Sequence, residues 1–434
     1  MSVAILDLND ANLQLWHGER HLQSPGYALL EGSEYRFGNA ARAAARLRPR
    51  DVSTRYWSQL NTQPLQPALG PARHSADLVH AHLLALHKEA GEPEDVLLAV
   101  PGNLEREQLS LLLGIIQQCP FEAVGLVNRS VALTQPETTT GRLFHLEFQL
   151  HQALLSELED SHGSRRVLRS QPLPGCGLLP LQERLVEIIA THFIRQTRFD
   201  PRRKAGTEQD LYDALPSALQ ALHERGEASL SIAGYNTRVQ AAALEEAGQR
   251  LFGRVTELTG GDAVTLLADP LATLLPGAAR HLPGLQVLAR NRLPGVCREL
   301  EDHIVQRQGP LSLVSALPCS APQVPAEPAP AAASAAPVAA VTPEPAPAPT
   351  SRSPAPAPAS GPSHLLQGFR ARPLDPEGTP LDNGGELYVA RGEWQLRGAG
   401  ATVNGLPYTP GQALKCGDTL AVAGTLAGVL IEVV

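Results

Sequence analysis

Four polar side chains near the ends of apolar runs are the residues best suited to chemistry: Asp7, Asn9, Asp10 and Glu147. Asp10 and Glu147 could together hold Mg²⁺, the ion that nucleotide phosphates require. A phosphate site also needs glycine-exposed N–H groups and a cation, because several negative charges must be met. The first turn reads Asp7-Leu8-Asn9-Asp10. Asn can take the turn geometry of glycine, but Asp10 adds a carboxylate where a phosphate oxygen would sit. Around the second acid, Leu146-Glu147-Phe148-Gln149-Leu150-His151 contains no glycine, and bulky side chains block close backbone approach. Asp7 and Asp10 are therefore expected to sit in an ordinary turn.

Other constellations are weaker. Glu147 and His151 share one strand face with Gln149, yet no nucleophile accompanies them, so a structural or solvated role is expected. His80, His82 and His87 lie with Lys88 on one helix, and His80 and His87 are separated by about 10 Å. That distance is too long to share an ion, which predicts a solvated face. Gly260-Gly261 precedes the strand Val264 to Leu267 and reads as a turn, not a nucleotide loop. Five cysteines without a C-x-x-C pair argue against a disulfide framework and a zinc site. No catalytic residue and no metal site are expected.

These groups need elements to position them. Val3 to Leu8 is an apolar strand, and Asn9-Asp10 turns it into Asn12 to Trp16. Asp95 to Val100 is a buried strand stopped by Pro101-Gly102. Asn103 is placed to cap a helix with Leu109, Leu112, Leu113 and Ile116 on one face. Ala123 to Val127 follows as a second buried strand. Strand, helix, strand in about thirty residues is a parallel crossover unit, so the fold class is α/β. Leu143 to Leu150 alternates, Leu154 to Leu158 with Arg166 to Arg169 forms a hairpin, and Leu181 to Gln196 is an amphipathic helix.

Val100-Pro101, Glu107-Gln108 and Gly125-Leu126-Val127-Asn128-Arg129-Ser130-Val131-Ala132-Leu133 resemble the seventy-kilodalton heat-shock chaperones. That family reads "TVPA…Q", a helix, then "INEPTAAAL" at the same spacing. The resemblance implies the two-lobed ATPase fold of actin and hexokinase over residues 1–305. It also implies where nucleotide would be held: Asp7, Asn9 and Asp10 on the first phosphate turn and Glu147 on the second. The chain departs from the pattern at each place. Asp-x-Gly-Thr is lost at Asp7 to Asp10, and Asp-x-Gly-Gly-Gly-Thr is lost at Glu147. No lysine precedes Lys88, and Ala268-Asp269-Pro270 stands at the adenosine position. The region is read as a degenerate pseudo-ATPase.

Residues 306–362 are read as a linker; from Cys319 to Pro362 the sequence is almost entirely Ala, Pro, Ser, Thr and Val, which cannot bury a core and suits an extended tether. Residues 363–434 carry short strands with turn signals at Asn383-Gly384, Arg391-Gly392, Asn404-Gly405 and Gly417-Asp418. They resemble the second half of a forkhead-associated domain, a small all-β module. Such domains recognise phosphothreonine through an Arg and a Ser-x-x-His; Arg391 is a poor stand-in and no matching Ser-x-x-His is present.

A net charge of -8 and a pI near 6.0 give no basic footprint, so no nucleic-acid partner is expected. No apolar run is long enough to cross a bilayer, which predicts a cytoplasmic protein with no membrane partner. The leading expectation is a non-catalytic chaperone-like scaffold or adaptor without cofactor. Its partners would be proteins, a heat-shock-type chaperone among them. The alternatives are an ATP- and Mg²⁺-binding chaperone ATPase, and an actin-like scaffold of a secretion or pilus system.

Overall fold

A computed structural model describes residues 3–135, 141–260, 264–309, 311–319 and 362–431, the last stretch with breaks at 368–369, 376–377, 382–384, 391–392, 399, 405, 410 and 423–424. Gly261, Asn383, Gly384, Arg391, Gly392, Gly405 and most of the Ala/Pro-rich tract lie outside the described residues. The chain divides into two units, Met1–Ala329 and Pro330–Val434.

The first unit is mixed α/β. Strands β1 (Ala4–Asp7), β2 (Leu13–His17) and β3 (Arg20–Ser24) form an antiparallel meander. Beside it, β4 (Ala28–Glu31), β5 (Glu34–Phe37) and β6 (Val52–Ser53) make a small sheet leading into helix α1 (Gly38–Arg42). A hairpin of β7 (Pro64–Leu69) and β8 (Ala72–His74) opens helix α2 (Ser75–Glu89). The crossover expected from the apolar runs is present as β9 (Asp95–Val100), α3 (Arg106–Ile116) and β10 (Glu122–Asn128), with β9 parallel to both β1 and β10. Asn103 does not cap α3. The backbone N–H of Glu105 instead donates to Gln108 Oε1 at 3.1 Å, half of a capping box.

A second sheet repeats the first. Helix α4 (Arg129–Thr134) leads to β11 (Arg142–Phe148), which pairs antiparallel with β12 (Gln152–Ser161), and β12 with β13 (Ser164–Pro174). Helices α5 (Leu178–Thr197) and α6 (Ala205–Arg225) precede the β14 (Glu227–Ile232) and β15 (Tyr235–Gln240) hairpin. Then β16 (Val264–Ala268) and β17 (Leu285–Val287) join β11 in parallel. The orders β10-β9-β1-β2-β3 and β17-β16-β11-β12-β13 therefore match strand for strand. Among the parallel strands, β9 is apolar and buried on both faces after Asp95, and β16 ends in the buried run Leu266–Ala268.

The first unit does not stop at residue 305. Val314 lies in register beside β10: its N–H donates to Leu126 O, and Asn128 N–H donates to its carbonyl. Strand β18 (Ala316–Pro318) then pairs with β13. The apolar residues Leu313, Val314 and Leu317 carry this edge, so the expected linker start at 306 is too early.

The second unit is all β in its described residues. One sheet contains His364–Gln367, Arg370–Pro373, Thr402–Val403, Leu406–Pro407, Thr419–Val422 and Thr425–Ile431; the other contains Thr379–Pro380, Glu386–Ala390 and Glu393–Arg397. Leu365, Leu420 and Leu430 of the first sheet share a core with Leu387, Trp394 and Leu396 of the second. Asn404 adopts a positive φ of 53° and accepts from Thr419 N–H while its amide donates to Asp418. Asn404 and Asp418 thus form one turn system. No helix among the described residues is long and apolar enough to cross a membrane.

Candidate functional site

Four strand ends converge in the first unit. Asp7 ends β1, Arg129 follows β10, Glu147 lies one residue before the end of β11, and Asp269 follows β16. Carboxyl ends of parallel strands are where α/β sheets place ligands, since loops there can splay apart. Here the ends carry charge, and every one of the four side chains is buried.

Arg129 is the hub. Its Nε donates to Asp7 Oδ1 at 2.8 Å, and its Nη1 and Nη2 grip Asp269 as a fork at 3.3 and 3.0 Å. Glu147 Oε2 lies 3.2 Å from Nη1, close as a charge contact although not aligned as a hydrogen bond. Burial alone would weaken the guanidinium's hold on its proton. Asp269, Asp7 and Glu147 outweigh it and push its pKa well above the usual value. Asp269 is likewise burdened by burial, yet Arg129 and His145 hold its carboxyl down at about 2. His145 Nε2 lies 3.7 Å from Asp269 Oδ1, and its Nδ1 is hydrogen-bonded to Ser130 Oγ at 2.9 Å.

The loop donors are already engaged. Leu150 N–H donates to Asp10 Oδ1 at 2.8 Å, and Phe148 N–H donates to Asp269 Oδ2 at 3.2 Å. Helix α5 begins at this loop, but its first free N–H groups, those of Leu178 and Leu179, donate to the carbonyls of Gln149 and Leu150. A β-carbon on Gly177 would come within 2.2 Å of Gln152 N, so only glycine lets the helix start this close. Asn128 Oδ1 caps α4 by accepting from Val131 N–H at 3.2 Å. Protein carboxylates and carbonyls thus accept the N–H groups that a phosphate would otherwise need.

Asp7 and Asp10 are accordingly not ordinary turn acids. They are 1% and 6% exposed. Burial raises Asp7 to about 6 despite Arg129, and raises Asp10 to about 7 despite its hydrogen bond from Leu150 N–H. Asn9 stays in the turn, accepting from Ala11 N–H at 2.9 Å, with its amide 3.5 Å from Asp269. Glu147 is buried completely and does not pair with His151. Its Oε1 accepts from Gln149, which also exchanges hydrogen bonds with Asn103, whereas His151 reaches Thr54. Among the described residues, no group of three or more His, Cys, Asp or Glu side chains is arranged to hold a metal.

Sequence reading names Arg129 and Asp269 only within the resemblance and assigns neither of them, nor His145, to the site. A signal for Arg129 was present: the chain has Asn-Arg-Ser where the chaperone segment has Asn-Glu-Pro.

The solvated histidine face is also overturned. His82 is fully buried and His87 nearly so. Trp57 Nε1, which can only donate, points at His82 Nδ1 at 3.2 Å, with Tyr56 Oη at 2.8 Å. Nδ1 is therefore the acceptor, and the neutral ring carries its proton on Nε2, 2.7 Å from Ser24 Oγ. Burial lowers His82 to about 3, which keeps it neutral. A serine facing a protonated Nε2 has no base, so Ser24 and His82 form a structural pair.

Above the charged hub lies a cleft of about 660 Å³. Its floor holds Asp7, Asn9, Arg129 and Asp269, and its walls are leucines of α5 and α6 with Leu271, Leu274 and Leu275 opposite. The chain matches no known protein-family model and no curated protein.

Proposed function

We propose that this chain is a non-catalytic, chaperone-like adaptor whose first unit is a degenerate actin-like ATPase fold. One observation carries the reading: the bridge from Arg129 to Asp7, Glu147 and Asp269. A guanidinium fixed among these acids stands where a nucleotide-bound cation would have to approach them. Asp10 and Asp269 meanwhile accept the loop N–H groups that phosphate oxygens would use. One guanidinium bonded among three buried carboxylates leaves the centre internally engaged, and removing it would strand those acids. The matched order of the two sheets supports the two-lobed reading.

The adaptor works through protein partners, with a heat-shock-type chaperone the first to test, and acts in the cytoplasm. The C-terminal unit is a forkhead-associated-like module that extends reach to a second partner. Calorimetry of the full chain at about 100 μM with Mg-ATP tests the central claim, since it detects dissociation constants to the millimolar range, about 4 kcal/mol. No saturable heat is expected. Saturable heat that Asp7→Ala abolishes would overturn the adaptor reading in favour of an ATP-binding chaperone.

A further inference from the structure

The leucine-walled cleft is continuous with a second, polar cleft of about 330 Å³, and Tyr27, Arg42 and Gln182 line both. The apolar side is made by Leu181 and Leu185 of α5, Leu215 and Leu219 of α6, and Leu271 and Leu274 opposite. Helical backbone is bonded within itself, so this wall offers no row of donors and acceptors to an extended peptide.

The junction differs. Tyr27 is 4% exposed, and its hydroxyl makes no hydrogen bond among the described residues. Burial lifts it to about 12 even beside Arg42 and Arg46, so it keeps its proton and remains a donor. Arg42 is half-buried and has no ion pair among the described residues. Arg46, by contrast, is held by Glu183 at 3.5 Å and Glu208 at 3.8 Å and lies over the Tyr212 ring. Arg46 is thus already shared between two acids, and Glu183 and Asp213 line the same polar cleft, whereas, among the described residues, Arg42 at the junction is not shared. On the floor of the apolar cleft, Asp7 and Asp269 are both committed to Arg129.

We infer that the joined clefts bind an amphipathic monocarboxylate. Its acyl chain lies along the leucines, and its carboxylate accepts the Tyr27 Oη–H and pairs with Arg42. One negative charge matches Arg42, whereas a polyphosphate would bring too many and would meet Glu183 and Asp213. An apolar body with few convergent polar groups is what such a pocket selects. The inference rests on the adaptor reading in one respect, that nucleotide does not fill this cleft.

The test titrates the full chain with sodium decanoate below its micellar range, following calorimetric heat and tryptophan fluorescence, because Trp16 lines the apolar cleft. Decanol supplies the chain without the acid, acetate the acid without the chain, and Mg-ATP runs in parallel. Decanoate should saturate, decanol should bind at least tenfold more weakly, and acetate should give no saturable signal. Tyr27→Phe removes only an unbonded hydroxyl, and Arg42→Gln removes only the charge. Each should weaken decanoate at least tenfold, with the melting temperature and the decanol affinity unchanged. Three results would overturn the assignment: no saturable decanoate binding by the folded chain, equal affinity for decanol, or indifference to both substitutions. Loss of decanoate binding with Mg-ATP still silent sinks the carboxylate alone. Saturable Mg-ATP binding that displaces decanoate sinks the adaptor reading as well.

Discussion

Leu150 N–H donates to the carboxylate of Asp10 at 2.8 Å, tying the turn after β11 to the turn after β1. The two residues stand 140 positions apart, so a contact between the sheets rests on one buried acid. Its pH response follows. Asp10 is raised to about 7 and Asp7 to about 6, both from 3.8, so the folded state binds their protons more tightly than the unfolded chain does. Their contribution is full below about pH 4 and is lost as pH rises toward 7. Asp269, held at about 2, acts oppositely, stabilising above about pH 4 and losing that effect as pH falls toward 2. Asp10→Asn keeps the acceptor for Leu150 and removes the ionisation. Its melting temperature should exceed the parent's at pH 8 and match it only below about pH 4. An equal deficit at both values would refute this account.

Arg129→Ala leaves three buried acids without their cation, which costs about 3–5 kcal/mol when a buried ion pair is broken on one side. A large fall in melting temperature is the expected outcome. Adding Asp269→Ala should cost less than the sum of the two single changes, with a coupling of at least about 1 kcal/mol. Strict additivity would show that the contact carries no energy.

Much of this fold is readable along the chain, because strands such as Asp95–Val100 and Glu122–Asn128 are local runs of apolar residues. Asp7, Asn9, Asp10 and Glu147 are legible as a set, since each ends or interrupts such a run. Their environment is not. Arg129 reaches Asp7 across 122 positions and Asp269 across 140, and no local pattern encodes either distance. His82 is a different failure. Leu78, His82 and Leu86 recur every four residues, and the buried face of α2 was already written in that spacing.

Ser24 should not react with a fluorophosphonate. The proton on His82 Nε2 is fixed by Trp57 and Tyr56 on the other ring nitrogen, so the serine has no general base. Labelling of the wild-type chain that disappears in Ser24→Ala would contradict that tautomer. His82→Phe keeps the stack with Phe37, now 4.6 Å between centroids, yet strands two buried donors. It should destabilise by about 2–4 kcal/mol, read from the thermal midpoint.

The last prediction concerns where the first unit ends. Residues 306–318 contain Val314, whose N–H and C=O both pair with β10, and β18, which pairs with β13. Leu317 is 1% exposed, so removing this segment uncovers apolar surface beside Val131 and Leu158 as well as breaking backbone hydrogen bonds. At about 25 cal/mol per Å² of apolar area, one fully buried leucine contributes about 2 kcal/mol. A fragment ending at residue 305 should therefore melt well below a fragment ending at residue 319, and should bind a hydrophobic dye that the longer one does not. Amide exchange should locate the change: Asn128 in β10, whose N–H donates to Val314 O, with Arg165 in β13, opposite Leu317, should lose protection in the shorter fragment. Equal melting temperatures for the two fragments would mean that the segment merely rests on the unit, and would restore the boundary at 305.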